Sequence, residues 1–524
     1  MTEKMTQAII RHFKMASQAR ALSVNPSLDT FAETISDKIL PTEHLKQLHE
    51  VPGPTGLASL PYIGTAFLFQ PFTHHIPEKI NLLFRDLHHR YGRIVKMRRG
   101  SHWNVFLFDP QLIMQAIQQE GAYPERPSMP IIDAYCKRKG VKKPLSSMQG
   151  EEWFRLRKPI QAKAMRPAIV DQYIPAQNKV ADDFISVLST CGDSDLSIEN
   201  LLLRYAVESS GIFCFNSRQG FLDENLPEEK STLLNSVHMY LSMVAESFYT
   251  FPAFKFFRTK LYTQFEKAAD SIDTNSKKYL DRQIADYETK KANGTLHLAD
   301  SNLLFSFLED TTLEREQCKS VMTGFFVVAT ENAAKSLSIM LWHLAKHPEK
   351  QDKLYREIKE THRDTCEVTA KSLKHMPYLK ACLRESHRLV FPTPGGAARI
   401  INKDISLDGY IISQGTMVHY GQNVLCHSPE YFPRPEEFIP ERWLNDIDPV
   451  KHRIRSFIVM PFGFGPRSCL GKTLAERQIH LLVCKLLMKY KVSLKDPQES
   501  LDIIYKIIAA NRTPLKINFE KREP

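Results

Sequence analysis

Nowhere does the chain run to the roughly 20 consecutive apolar residues that a membrane-spanning helix needs. Its most apolar N-terminal stretch, Leu57 to Phe72, is cut by Pro61, Gly64 and Pro71. A transmembrane anchor is therefore not expected, and the protein should be soluble or lie on a membrane surface, with the Leu57 to Phe72 pieces able to dip into it. Cysteine pairing motifs are also lacking. The nine cysteines are scattered, odd in number and without a C-x-x-C pair, which argues against a disulfide scaffold or a cysteine zinc site and for a reducing compartment. No internal repeat and no Gly/Ser-rich linker divides the sequence. The net charge is +11, yet no aromatic-basic motif accompanies it, so nucleic acid is not an expected partner and an acidic protein or an anionic membrane is. With 43% hydrophobic and 25% charged residues, the composition is that of a packed globular protein and excludes disordered or collagen-like architectures.

What is present begins with a basic N-terminus. Lys4, Arg11, Lys14 and Arg20 face a single acid, Glu3, and Met5, Ile9, Phe13 and Ala16 recur at helical spacing. This is the pattern of a mitochondrial import signal rather than a secretory one. Val51-Pro52-Gly53-Pro54 is a turn-rich junction, so residues 1–50 read as presequence and N-terminal segment and 51–524 as the body. Within the body, helical periodicity predicts long helices over Ala176 to Leu188, Leu261 to Lys290, Glu314 to Ala345 and Thr473 to Tyr490. Extended segments are expected at Ile94 to Met97, Asn104 to Phe108 and Thr416 to His419. The fold class is mainly α with small β-sheets, in one large domain despite a length that would suit about three units of average size.

Residues 461 to 472 read Pro-Phe-Gly-Phe-Gly-Pro-Arg-Ser-Cys-Leu-Gly-Lys, directly before the helix that starts near Thr473. Gly463, Gly465 and Pro466 make a tight loop whose amides can point at the Cys469 sulfur. Gly471 leaves room for a flat ligand, and Phe462 can shield a thiolate. A buried, amide-bonded thiolate of this kind suits an electron-donating axial ligand of haem iron. The pattern F-x-x-G-x-R-x-C-x-G, met by Phe462, Gly465, Arg467, Cys469 and Gly471, resembles the haem-binding loop of the cytochrome P450 family.

The resemblance implies the family's fold, heme b with Cys469 as its iron ligand, and monooxygenase chemistry. Glu385 and Arg388 form E-x-x-R on one helical face, and Phe438-Ile439-Pro440-Glu441-Arg442-Trp443 resembles the loop that donates a second arginine. Together they imply a buried Glu385–Arg388–Arg442 network that fixes the core around the haem loop. Trp153 and Arg157 match W-x-x-x-R, and with Arg399 and Arg467 they are the implied partners of the haem propionates. The helix containing Phe325-Phe-Val-Val-Ala-Thr-Glu-Asn aligns with A-G-x-[DE]-T-[ST]: Ala329 takes the glycine position beside the haem, Glu331 keeps the acid, and Asn332 replaces the usual threonine. An amide donates a hydrogen bond or holds a water but relays a proton less readily than a hydroxyl. Glu331 and Asn332 are thus the expected managers of water and protons.

Arg442-Trp443, the Tyr123-Pro124-Glu-Arg126-Pro127 segment and Tyr378-Leu379-Lys380-Ala381-Cys382 are similar to the mitochondrial branch of the family. That branch implies electrons from NADPH through a ferredoxin reductase and a small acidic ferredoxin, docking at Lys380, Arg384 and Lys472, and a location on the matrix side of the inner membrane. Phe325, Val328, Thr393 and Pro394 are expected to line an apolar pocket for a sterol, steroid or secosteroid. Three alternatives stand beside this reading: oxidation of xenobiotics, a haem-thiolate isomerase or dehydratase working without a reductase, and a non-catalytic haem or ligand-binding protein.

Overall fold

The computed structural model describes residues 45–191, 197–295, 302–362, 367–444 and 448–523; the basic N-terminal stretch lies outside them. Nine helices carry the argument: α1 (Ile80–Tyr91), α2 (Gly150–Ala164), α3 (Ile174–Cys191), α4 (Ile198–Phe215), α5 (Glu228–Glu246), α6 (Lys260–Ala292), α7 (Arg315–Lys346), α8 (Pro377–Leu389) and α9 (Lys472–Lys489). The four long helices expected from periodicity are α3, α6, α7 and α9. The expected extended segments are strands β1 (Ile94–Arg99), β2 (His102–Leu107) and, after β3 (Ala398–Ile400), β4 (Met417–Tyr420).

These four strands make one mixed sheet in the order β1-β2-β4-β3, with β2 and β4 parallel and the other pairs antiparallel. Three two-stranded sheets complete the paired strands among the described residues. Apolar burial is divided accordingly. A large helical core holds Trp153, Phe184, Tyr205, Leu337 and Leu482, and a smaller one under the sheet holds Val105, Leu107, Val418 and Tyr420.

Helix α7 is the axis of the helical core. Glu314 and Gln317 close its N-terminus with a reciprocal capping box, which satisfies two otherwise orphaned amides. Beyond that turn most of its side chains are buried or half-buried, and those from Leu337 to Ala345 are buried without a break. It packs on α4, α8 and α9. One exception stands out: Val328, in mid-helix, is 47% exposed, so open space lies beside it.

Residues 45–50 are packed on the body. Lys46 exchanges backbone hydrogen bonds with Gly409 and Ile411, and Leu48 rests on the core beneath the sheet. No helix among the described residues is long and apolar enough to cross a membrane.

Candidate functional site

The loop ahead of α9 is shaped by its glycines. Gly463 and Gly465 have φ of 70° and 63°, the left-handed region that an L side chain resists. The turn they make lets the Cys469 amide donate to the Phe462 carbonyl at 2.8 Å. Of the seven cysteines whose side chains are described, six are buried and only Cys469 is partly accessible. Burial pushes its thiol upward in pKa, while the Gly471 amide donating to the sulfur, and Arg157 and Arg126 nearby, act in the opposite direction. Those three are the groups that would hold a thiolate. Gly471 is not needed for its backbone angle, which is φ −87°. A methyl placed there would stand 3.9 Å from the sulfur, so the absent side chain keeps the space beside Cys469 clear.

Around this loop four arginines converge. Arg467 lies with its guanidinium 3.6 Å over the Trp153 ring and donates to the Pro124 carbonyl at 2.8 Å and to Gln149 Oε1 at 2.8 Å. Arg157 donates to the Ser468 carbonyl at 2.5 Å and to Gln161 at 2.9 Å. Arg399 meets Glu120 at 3.1 Å. Arg126, which sequence motifs left as a branch marker, reaches the Arg467 carbonyl. Burial depresses Arg126 to about 9, helped by Arg399 and Arg157, and Arg467 to about 9, helped by Arg126 and Arg399. Burial alone holds Arg157 at about 10, against the raising effect of Cys469. Buried guanidiniums that repel one another call for anions. A haem whose iron meets Cys469 and whose two propionates meet these arginines fits that demand.

The ion network behind the loop has the expected members. Arg388 donates to both oxygens of Glu385, at 2.9 and 3.0 Å, and Arg442 donates to Glu385 Oε1 at 3.0 Å. Trp443 adds a member that the motif did not announce: its indole N–H donates to Glu385 Oε2 at 3.0 Å. Arg388 spends its remaining donors on the carbonyls of Cys426, Pro435 and Glu437.

On α7, Glu331 is buried and Asn332 and Ala329 are half-buried. The one neighbouring hydroxyl, Thr330, donates to the Phe326 carbonyl at 2.7 Å, so it does not replace the missing threonine. Glu331 has two partners. His238 Nδ1, from α5, lies 2.7 Å from Oε1, and Lys335 donates to Oε2 at 2.6 Å. The His238 side chain is 62% exposed against 7% for Glu331, so this pair connects bulk water to a buried carboxylate. No motif pointed to His238. Phe325 is half-buried, its ring 6.3 Å from Phe213, while Thr393 and Pro394 are half-buried in the turn before β3.

Lys380 and Lys472 are exposed; Arg384 is half-buried, stacked at 4.2 Å on Trp443. With Arg477 they surround Glu476, whose carboxyl is raised by burial against the lowering influence of all four cations. A basic patch thus lies beside the Cys469 loop.

Residues 54–519 match the sequence model of the family described as Cytochrome P450. Among curated proteins, the chain is 30% identical over 513 residues to the "Probable cytochrome P450 49a1" of Drosophila melanogaster, covering 93% of this chain and 84% of that protein. It is 29% identical over 534 residues to the ecdysone 20-monooxygenase of the same species, covering 98% and 96%. It is also 29% identical over 497 residues to the mitochondrial sterol 26-hydroxylase of Rattus norvegicus, covering 91% and 90%.

Proposed function

The chain belongs to the cytochrome P450 family, a haem-thiolate monooxygenase, and from that premise we propose that it is a mitochondrial member that hydroxylates a sterol, steroid or secosteroid. Electrons would come from NADPH through a ferredoxin reductase and a ferredoxin. The observation that carries the site assignment is the convergence of Arg126, Arg157, Arg399 and Arg467 on the Cys469 loop. When bound, the haem supplies dioxygen activation, and the thiolate of Cys469 supplies electron density to the iron.

The chain's own residues do the rest. The Gly471 amide, Arg157 and Arg126 favour the Cys469 thiolate, opposing the burial that raises the thiol. Arg157, Arg467 and Trp153, joined by Arg126 and Arg399, would hold the propionates. Glu385, Arg388 and Arg442 lock α8 to the segment ahead of the loop. Glu331 exchanges a proton with His238 Nδ1, whose outer edge is wet, and Asn332 holds a water through its amide. Val328, with Phe325 and the Thr393-Pro394 turn, supplies apolar contact for the substrate. Lys380, Arg384, Lys472 and Arg477 receive the acidic ferredoxin.

The mitochondrial relatives and the basic N-terminal stretch support import by a leader within residues 1–50, ahead of the haem-enclosing body, and a position on the matrix side of the inner membrane. Peripheral contact with that membrane is supported by two apolar patches. Leu57, Tyr62, Ile63 and Phe72 are 57–69% exposed, and Phe251, Phe256 and Phe257 71–74%. The β1–β2 hairpin ties the two together: Tyr62 donates to Gly100, and Arg99 to the Phe248 carbonyl.

Purified enzyme with NADPH, ferredoxin reductase and ferredoxin should oxidise a member of a sterol and secosteroid panel in an O2-dependent way. Cys469→Ala should abolish both turnover and the thiolate-type absorption of the reduced carbon-monoxide complex. Retention of that absorption in Cys469→Ala, or O2-independent rearrangement of lipid peroxides as the one activity found, refutes the assignment.

A further inference from the structure

Two imidazoles and a carboxylate meet near the start of the body. His74 Nε2 lies 3.6 Å and His75 Nε2 3.0 Å from the same oxygen, Asp86 Oδ2, and the three ligand atoms all fall within 4.8 Å of one another. Zinc bonds of about 2.0–2.2 Å at tetrahedral angles put neighbouring ligand atoms about 3.4 Å apart. The observed separations bracket that edge length. We infer that His74, His75 and Asp86 form a binding site for a zinc-class divalent cation, a site separate from the haem pocket.

Each ligand is presented by a different degree of constraint. The loop carrying the histidines is tied by its own backbone: Gln70 donates to the His75 carbonyl at 2.9 Å, and the His75 amide donates to Thr73 Oγ1, which in turn donates to Leu68. His75 is buried. Asp86 is anchored on the second turn of α1, and its side chain is 38% exposed; His74 is 74% exposed. The outer side of the cluster is open to water, leaving a fourth position for water or a small anion. Two imidazoles and one carboxylate favour a borderline cation over magnesium or calcium, which prefer oxygen donors throughout.

One cation already approaches the carboxylate. Arg90 stands 3.8 Å from Asp86 Oδ2 with its side chain 65% exposed, an ion pair of the weak surface kind that a metal displaces by a rotamer change. Bound metal would staple the loop to α1. That loop carries Phe72, 60% exposed, so metal binding would also steady part of the apolar patch that faces the membrane.

The test uses tag-free, full-length, haem-loaded enzyme freed of adventitious metal with a chelator. Titration with Zn2+ should show one equivalent bound, and X-ray absorption at the zinc edge should show nitrogen and oxygen neighbours with no sulfur. His74→Ala and Asp86→Asn, both altered at accessible side chains, should each weaken the affinity at least about tenfold. Hydrogen exchange of residues 69–76 should slow with zinc in the wild type alone. Zinc bound equally by His74→Ala and Asp86→Asn, or no binding below millimolar zinc, overturns the site. The reduced carbon-monoxide spectrum, unchanged in all three proteins, reads the cysteine–haem assignment separately.

Discussion

Glu331 is held between opposing influences. Burial raises its carboxyl, but the hydrogen bond from His238 and the charge of Lys335 outweigh it, so it titrates below the usual glutamate value. A carboxylate depressed in the folded state contributes stability that is present above its unfolded value, about 4.3, and is lost as pH falls through the folded one. His238→Ala removes one of the two lowering partners and leaves burial less opposed. The acid limb of a melting-temperature profile should then move to higher pH, and the infrared carboxyl band of Glu331 should appear at higher pH than in the wild type. An acid limb and band unmoved by the substitution would show that the pair does not form in solution. At this same scale the sequence was readable where chemistry demands a fixed spacing. Cys469, Arg467 and Gly471 sit in one loop, and Trp153 and Arg157 one helical turn apart, so their joint presence is visible in the string of residues. His238 approaches Glu331 from a helix 93 positions away, and Arg126 meets Arg467 from 341 positions away. No local pattern records such meetings.

Among the elements, α8 is the one whose charge content could be read before its packing. E-x-x-R placed Glu385 and Arg388 on one face, and both side chains are fully buried as an ion pair at 2.9 Å. Trp443 had meaning as a branch marker, whereas its hydrogen bond to Glu385 depends on how the Pro440–Trp443 turn docks on α8. Long helices were legible because a 3.6-residue period repeats many times in α3, α6, α7 and α9. Three-residue strands such as Ile405–Leu407 and Ile503–Tyr505 are too short to carry a period, and tertiary pairing alone defines them. The buried network also fixes an expected outcome. Glu385→Gln removes the carboxylate that Arg388 and Arg442 share, stranding a guanidinium with no solvent access. Breaking such a pair costs about 3–5 kcal/mol. Thermal melts should fall by a matching amount and haem-loaded yield should drop, whereas Arg434→Gln, at an exposed pair 3.0 Å from Glu437, should be nearly silent. A Glu385→Gln protein as stable as the wild type would mean that the network is not under the desolvation its burial implies.

Across the whole molecule the excess of positive charge and the exposed aromatics are not spread evenly. Lys380, Arg384, Lys472 and Arg477 gather around Glu476 beside the cysteine loop, while Phe251, Phe256 and Phe257 stand out next to the patch that includes Tyr62, Ile63 and Phe72. The first arrangement would attract the proposed acidic ferredoxin through a field that salt screens over a Debye length of about 10 Å at 0.1 M. The second would bury apolar area in the proposed bilayer contact, a gain that salt does not weaken. Ionic strength therefore separates the two surfaces. Raising salt from about 0.05 to 0.5 M, which shortens the Debye length more than twofold, should slow ferredoxin-driven reduction markedly, and Lys380→Glu with Lys472→Glu should slow it at low salt as well. Neither change should displace the enzyme from vesicles of neutral phospholipid. Conversely, Phe251→Ser with Phe256→Ser and Phe257→Ser should release the protein from those vesicles in a sedimentation assay while leaving ferredoxin-driven reduction of detergent-solubilised enzyme intact. The three side chains are each more than 70% exposed, so their loss removes little packing and the folded state should survive. Equal salt sensitivity of vesicle binding and ferredoxin reduction would mean that one charged surface serves both partners, and the assignment of separate faces would fall.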